Sequence, residues 1–187
     1  GSIIDDVEQI RSAEPGKPLQ LSLDARLQYL AYRELKQAVK QRGAKSGSVV
    51  VMRPQTGEVL AMVNQPAFNP NNRSAFKAAH FRNRAVTDVF EPGSTIKPFV
   101  VAAAIESGRF SSSSTIDTAP GYFRLHGHTI RDHRNYGKLK LGKVLSKSSN
   151  VGASKLAMQL KSEQLWSILD GVGFGRTTGS GFPGESS

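Results

Sequence analysis

Cysteine is absent from all 187 residues, so no disulfide framework can form. That absence suits cytoplasm and periplasm alike and selects neither. Also missing is any apolar run of about 18 residues, the length a membrane-spanning helix needs. Acidic side chains are in the minority, 15 against 25 lysines and arginines, for a net charge of +10. Such an excess invites a nucleic-acid partner. The cations are dispersed, however, and no interleaved aromatics or groove-reading motif accompany them, so no nucleic acid is expected. Two local groups stand out, Lys36, Lys40, Arg42 and Lys45, and then Lys138, Lys140, Lys143 and Lys147. Both are expected to be solvated faces, and their field would draw the protein toward anionic lipids and wall polymers. Gly1-Ser2 reads as a cloning scar and residues 3–18, punctuated by Pro15-Gly16-Lys17-Pro18, as a linker. An upstream signal or membrane anchor is then expected to have been cut away.

What the chain does have is Phe90 to Phe110, FEPGSTIKPFVVAAAIESGRF. Glu91-Pro92-Gly93 reads as a loop entering a helix, and Phe99 to Ile105 is apolar on nearly every side, which predicts a buried helix. Pro98 is tolerated only near the first turn, which pins the helix start close to Ser94. Ser94 then sits near the positive end of the helix dipole. Residues three apart share a helix face, so the Lys97 amine can reach the Ser94 hydroxyl. A serine hydroxyl is a weak nucleophile without a base, and a desolvated amine can lose its proton near neutral pH and serve as one. Alone, Ser-x-x-Lys is a weak signal, since a capping serine followed by a snorkelling lysine is common.

A second constellation follows 51 residues later in SKSSNVGASKLAMQL, where Ser148-Ser149-Asn150 leads into the apolar positions Val151, Leu156, Ala157 and Leu160. Ser-x-x-Lys followed by Ser-x-Asn is part of the set found in penicillin-recognising enzymes. Together with Phe90-Glu91-Pro92-Gly93, Asn69-Pro70-Asn71-Asn72, Arg82-Asn83-Arg84, Lys147, Val151-Gly152 and Gly181-Phe182-Pro183-Gly184-Glu185, these motifs resemble the transpeptidase domain of class B penicillin-binding proteins. The likeness is greatest to the septal, cell-division branch, and it runs from about Pro15 to Ser187.

The resemblance implies an α/β (α+β) fold of the penicillin-binding transpeptidase and serine β-lactamase-like type, an antiparallel sheet flanked by helices plus an all-helical subdomain. It implies that Ser94 attacks stem peptides ending in D-Ala-D-Ala, that Lys97 takes its proton, that Ser148 relays a proton to the leaving amine, and that Asn150 holds the substrate amide and Lys97. It implies β-lactams as inhibitors, membrane proteins of the division machinery as partners, no cofactor, and a site on the periplasmic face of the inner membrane. The family's third motif, Lys-[Ser/Thr]-Gly, does not occur after Asn150; Lys45-Ser46-Gly47 comes too early, and Arg176-Thr177-Thr178-Gly179 lacks the lysine. Residues 19–187 are therefore expected to be the N-terminal portion of the domain, impaired on its own. Rival readings are a class A β-lactamase using Glu185 for deacylation, a β-lactam sensor, and a division scaffold with a vestigial site.

Elsewhere, alternating Leu19, Leu21 and Leu23 predict a short strand. Asp24 is expected to cap a helix whose stripe is Leu27, Leu30, Ala31, Leu35 and Ala38, ended by Gly43. Ser48 to Met52 and Glu58 to Val63, joined by Pro54-Gln55-Thr56-Gly57, predict a hairpin covered on both faces. Tyr122 to Arg131 predicts a smaller hairpin around His126-Gly127-His128. The spacing of His126, His128 and His133 beside Asp132 is too weak for a metal site and reads as a surface turn. Ser162 is expected to cap a helix ending at Gly171, with Trp166 in the core.

Overall fold

In a computed structural model of the protein, residues 14–72 and 78–185 are described. The expected scar Gly1-Ser2 and the linker as far as residue 13 lie outside them. The chain divides into two compact units, residues 1–85 and 86–187. Antiparallel pairing accounts for all strands among the described residues.

The first unit is a helix on a hairpin. Asp24 Oδ1 accepts from the amides of Arg26 (2.8 Å) and Leu27 (3.1 Å), which starts α1 (Ala25–Arg42). Gly43, in the left-handed region at φ 60°, ends it. Strands β1 (Gly47–Met52) and β2 (Val59–Gln65) pair in the register Val49↔Val63 and Val51↔Ala61. Ala61 and Val63 are buried, and Gly47 leaves room for Leu35 and Val39 of α1, whose methyls would lie about 3 Å from a Cβ there. The outer edge of β2 is satisfied by side chain as well as backbone. The Gln28 carboxamide accepts from Met62 N (2.8 Å) and donates to Met62 O (2.9 Å), while Asp24 N donates to Leu60 O.

The first unit departs from expectation in three places, and those edge bonds explain the first. Leu19, Leu21 and Leu23 form no strand and are 81%, 60% and 40% exposed, since Gln28 and Asp24 already occupy the edge they would pair with. The inward stripe of α1 is Leu27, Gln28, Ala31, Tyr32, Leu35 and Val39, so Leu30 and Ala38 are exposed. The hairpin is covered on both faces along β2 only: β2 is buried or half-buried at every position, whereas burial alternates along β1, leaving Val50 and Met52 exposed.

In the second unit a 3-10 turn (Gly93–Ile96) leads into α3 (Lys97–Glu106), after a one-turn helix α2 (Arg84–Thr87) at the junction of the units. Strand β3 (Thr115–Asp117) pairs with β6 (Lys138–Lys140), and β4 (Tyr122–Leu125) with β5 (His128–Arg131) across the expected turn, His126 and Gly127 both having positive φ. Helices α4 (Leu141–Ser146), α5 (Asn150–Ala157) and α6 (Ser162–Gly171) follow. Val100, Val101 and Ala104 of α3 pack with Ile116, Leu139, Leu141, Val144, Ala153 and Leu156 in one core. Helix α6 starts differently from expectation: Lys161 is the N-cap position, and its amide donates to the Gln164 side chain (2.9 Å) instead of Ser162 capping. Trp166 is 65% exposed, not core, because the inward positions of α6 belong to Leu165, Ile168 and Leu169. No helix among the described residues is long and apolar enough to cross a membrane.

Gly121 joins β3 to the small hairpin at φ 92°, and a Cβ there would lie 3.0 Å from the backbone N and Cα of Asn135. Gly121→Ala should therefore lower unfolding stability by about 1–3 kcal/mol, seen as a reduced thermal midpoint. An unchanged midpoint would show that residues 134–135 are not fixed against this turn.

Candidate active site

Ser94 lies in the 3-10 turn and faces solvent, while Lys97, first residue of α3, is only 7% exposed. Its Nζ lies 3.0 Å from Ser94 Oγ, 3.0 Å from Ser148 Oγ, 2.8 Å from Ser148 O and 2.6 Å from Asn150 Oδ1. The two hydroxyls are 3.1 Å apart. All four residues expected from sequence thus meet at one amine.

Their placement has local causes. Ser148 follows α4 at φ 50°, a strained conformation for a residue with a side chain, and this turns both its carbonyl and its hydroxyl toward Lys97. Ser149 caps α5, its Oγ accepting from Gly152 N (2.8 Å), and Asn150 is the first residue of that helix. Asn150 Nδ2 donates to Arg131 O (2.9 Å), which fixes the amide so that Oδ1 faces the amine.

Counting protons shows what the cluster can do. Ser148 O and Asn150 Oδ1 can only accept, so a neutral amine commits its two hydrogens to them and turns its lone pair toward the hydroxyls. A charged amine spends its third proton on a hydroxyl oxygen instead. Burial pushes the Lys97 ammonium below the ordinary lysine value of 10.5, and the negative charge of Asp132 pulls the other way. An amine so placed can take the Ser94 proton as the oxygen attacks.

Asp132, expected from sequence in a surface turn, instead reaches the site. Its Oδ2 accepts from Ser149 Oγ (2.6 Å) and its Oδ1 from Val151 N (3.0 Å). It clamps the start of α5 and sits beside the helix N-terminus, where negative charge is stabilised. No local pattern marks it; only the fold brings β5 to α5. Among the motifs set aside, Lys45-Ser46-Gly47 marks the entry to β1, and Arg176 pairs with Asp170. Glu185 is engaged in its own loop, accepting from Thr178 N and Ser180 Oγ, and the Thr178 bond holds its carboxyl below the usual range.

Residues 47–187 match the family model of the penicillin-binding protein transpeptidase domain. The chain is 46% identical over 187 residues to the peptidoglycan D,D-transpeptidase FtsI of Escherichia coli, covering 100% of itself and 31% of that protein. It is 44% identical over 186 residues to the probable peptidoglycan D,D-transpeptidase PbpC of Pseudomonas aeruginosa, covering 100% and 33%. Among solved structures, the apo transpeptidase domain of Burkholderia pseudomallei penicillin-binding protein 3 superposes with a TM-score of 0.76 at 42% identity, covering 92% of this chain and 48% of that one. The chain thus spans about a third of the length of the curated relatives it matches.

Asp132→Asn separates the clamp's charge from its shape. Losing the carboxylate removes the influence that raises the Lys97 proton affinity, so the pH profile of Ser94 acylation by a penicillin should move to lower pH. Stability should fall by about 1–3 kcal/mol as the charged acceptor at Ser149 and Val151 is lost. An unmoved profile would leave Asp132 a purely structural residue.

Proposed function

The chain belongs to the penicillin-binding protein transpeptidase family, and from that premise we propose that it carries the acylation site of a peptidoglycan D,D-transpeptidase of cell division. The observation that carries this reading is the Lys97 amine, held within 3.0 Å of Ser94 Oγ by Ser148 and Asn150. Ser94 Oγ bonds to the carbonyl carbon of the penultimate D-alanine as its proton passes to Lys97. The amide C–N bond then breaks, and the terminal D-alanine leaves with a proton delivered through Ser148 Oγ, which stands 3.0 Å from Lys97 Nζ and 3.1 Å from Ser94 Oγ. The amine of a neighbouring stem peptide attacks the ester, returning the proton to Ser94 and completing the cross-link. Asn150 holds the substrate amide and keeps the lysine in register, and the Ser94 backbone N–H contributes to the oxyanion site.

A β-lactam, whose strained amide presents the same carbonyl, is expected to stop the cycle at the ester. The full-length protein works at the periplasmic face of the inner membrane with membrane partners of the division machinery. The β-lactamase alternative gains nothing from Glu185, whose carboxylate is committed to residues 178–180.

In the full-length protein, benzylpenicillin should add its mass at Ser94, and Ser94→Ala should abolish the adduct. Lys97→Arg keeps the charge but not the base, and should slow acylation by about 100-fold or more. An adduct on the alanine variant would remove Ser94 as nucleophile. Acylation of the arginine variant near the parent rate would leave Lys97 an electrostatic aid only.

A further inference from the structure

Lys138, Lys140, Lys143 and Lys147 are all exposed, and the reason lies in the residues between them. Leu139, Leu141 and Val144 turn into the core, which forces the lysines outward. On β6, Lys138 and Lys140 flank Leu139 and share one face; Lys143 of α4 and Lys147, the residue that caps its C-terminus, are four apart and the Lys147 amide bonds to Lys143 O. Strand runs into helix with no residue between, so the four exposed lysines follow one another along a single strip of backbone. No acidic residue occurs from 138 to 147, and among the described residues none of the four lysines is in an ion pair. Asp117 lies opposite Lys138 in register, but its Oδ1 accepts from Ala119 N (2.9 Å). Arg131 and Arg134 precede the strip, exposed and stacked over Tyr122 and Tyr136.

The strip ends at the active site, since Lys147 is bonded to Ser148. We propose that it is a subsite for a carboxylate-bearing segment of the wall polymer, gripping acidic stem peptide while a neighbouring stem reaches Ser94. This rests on the transpeptidase reading above. At about 3.3 Å per strand residue and about 1.5 Å per helix residue the strip spans at most roughly 15–20 Å, room for an extended peptide of up to about five residues. An anionic bilayer would satisfy the same charges, but lying flat on a strip that ends at Ser148 it would cover the solvent-facing mouth of the site. A polymer has to pass there.

The test is sedimentation of the full-length protein with purified wall sacculi. Lys138→Gln/Lys140→Gln/Lys143→Gln should weaken binding by at least about fivefold, each exposed charge contributing modestly. The matching triple arginine variant should bind as the parent does. Parent binding should fall as salt rises from about 0.05 M to about 0.5 M, and on sacculi whose carboxylates have been amidated. Benzylpenicillin acylation of the glutamine variant, which does not depend on polymer contacts, reports that its site is intact. With acylation intact, unchanged sacculus binding by the glutamine variant, or parent binding indifferent to amidation, overturns the subsite alone. Failure of the parent to acylate overturns the transpeptidase reading instead. Lysine-dependent binding to phosphatidylglycerol vesicles, without lysine-dependent binding to sacculi, would make a membrane the occupant and also overturn the proposal.

Discussion

Burying a lysine amine is unfavourable unless oxygen atoms replace the water it loses, and the active site is arranged around meeting that demand for Lys97. Four oxygens from three residues surround the amine, and each of the three residues arrives from a different piece of local structure. Ser94 comes from the turn before α3, Ser148 from a left-handed residue after α4, and Asn150 from the start of α5. Folding disfavours the protonated form, so the burial costs stability at pH values below the lowered lysine value. That cost fades as pH rises and is gone above the ordinary value of 10.5.

Packing in the second unit holds those oxygens in place. Leu141, Val144, Val151 and Leu156 are essentially inaccessible, which locks α4 to α5 on either side of Ser148. Ser149 is fully buried yet satisfied, since its hydroxyl accepts from Gly152 N and donates to Asp132. Asp132 in turn hangs from the small hairpin, its amide bonded to Gly121 O (2.9 Å). The chain of constraint thus runs from a glycine turn through a carboxylate to the residue beside Asn150. The same core leaves the β6–α4 lysines no direction but outward.

The legible parts of the fold were those set by local periodicity or turn chemistry. Ser94 and Lys97 could be paired because three residues are one helix turn, Asp24 and Gly43 bracket α1 by capping, and the two hairpins follow from Gly57 and Gly127. Ser148 and Asn150 were joined to them through resemblance, as their distance in sequence carries no geometry. What failed depends on tertiary context. The leucines at 19, 21 and 23 alternate like a strand, but the edge they needed is taken by Gln28, a polar residue that no apolar stripe predicts. Trp166 has the composition of a core residue and the position of a surface one. Asp132 lies 17 residues before Ser149 and carries no motif of its own.

Attack by Ser94 requires a neutral Lys97, and the direct measurement is an NMR titration of the 13Cε signal of Lys97 in the full-length protein, assigned by comparison with a Lys97→Arg sample. The amine is predicted to lose its proton clearly below the ordinary lysine value of 10.5. Titration at or above that value would contradict the assignment of Lys97 as the base and would require another group to take the proton of Ser94.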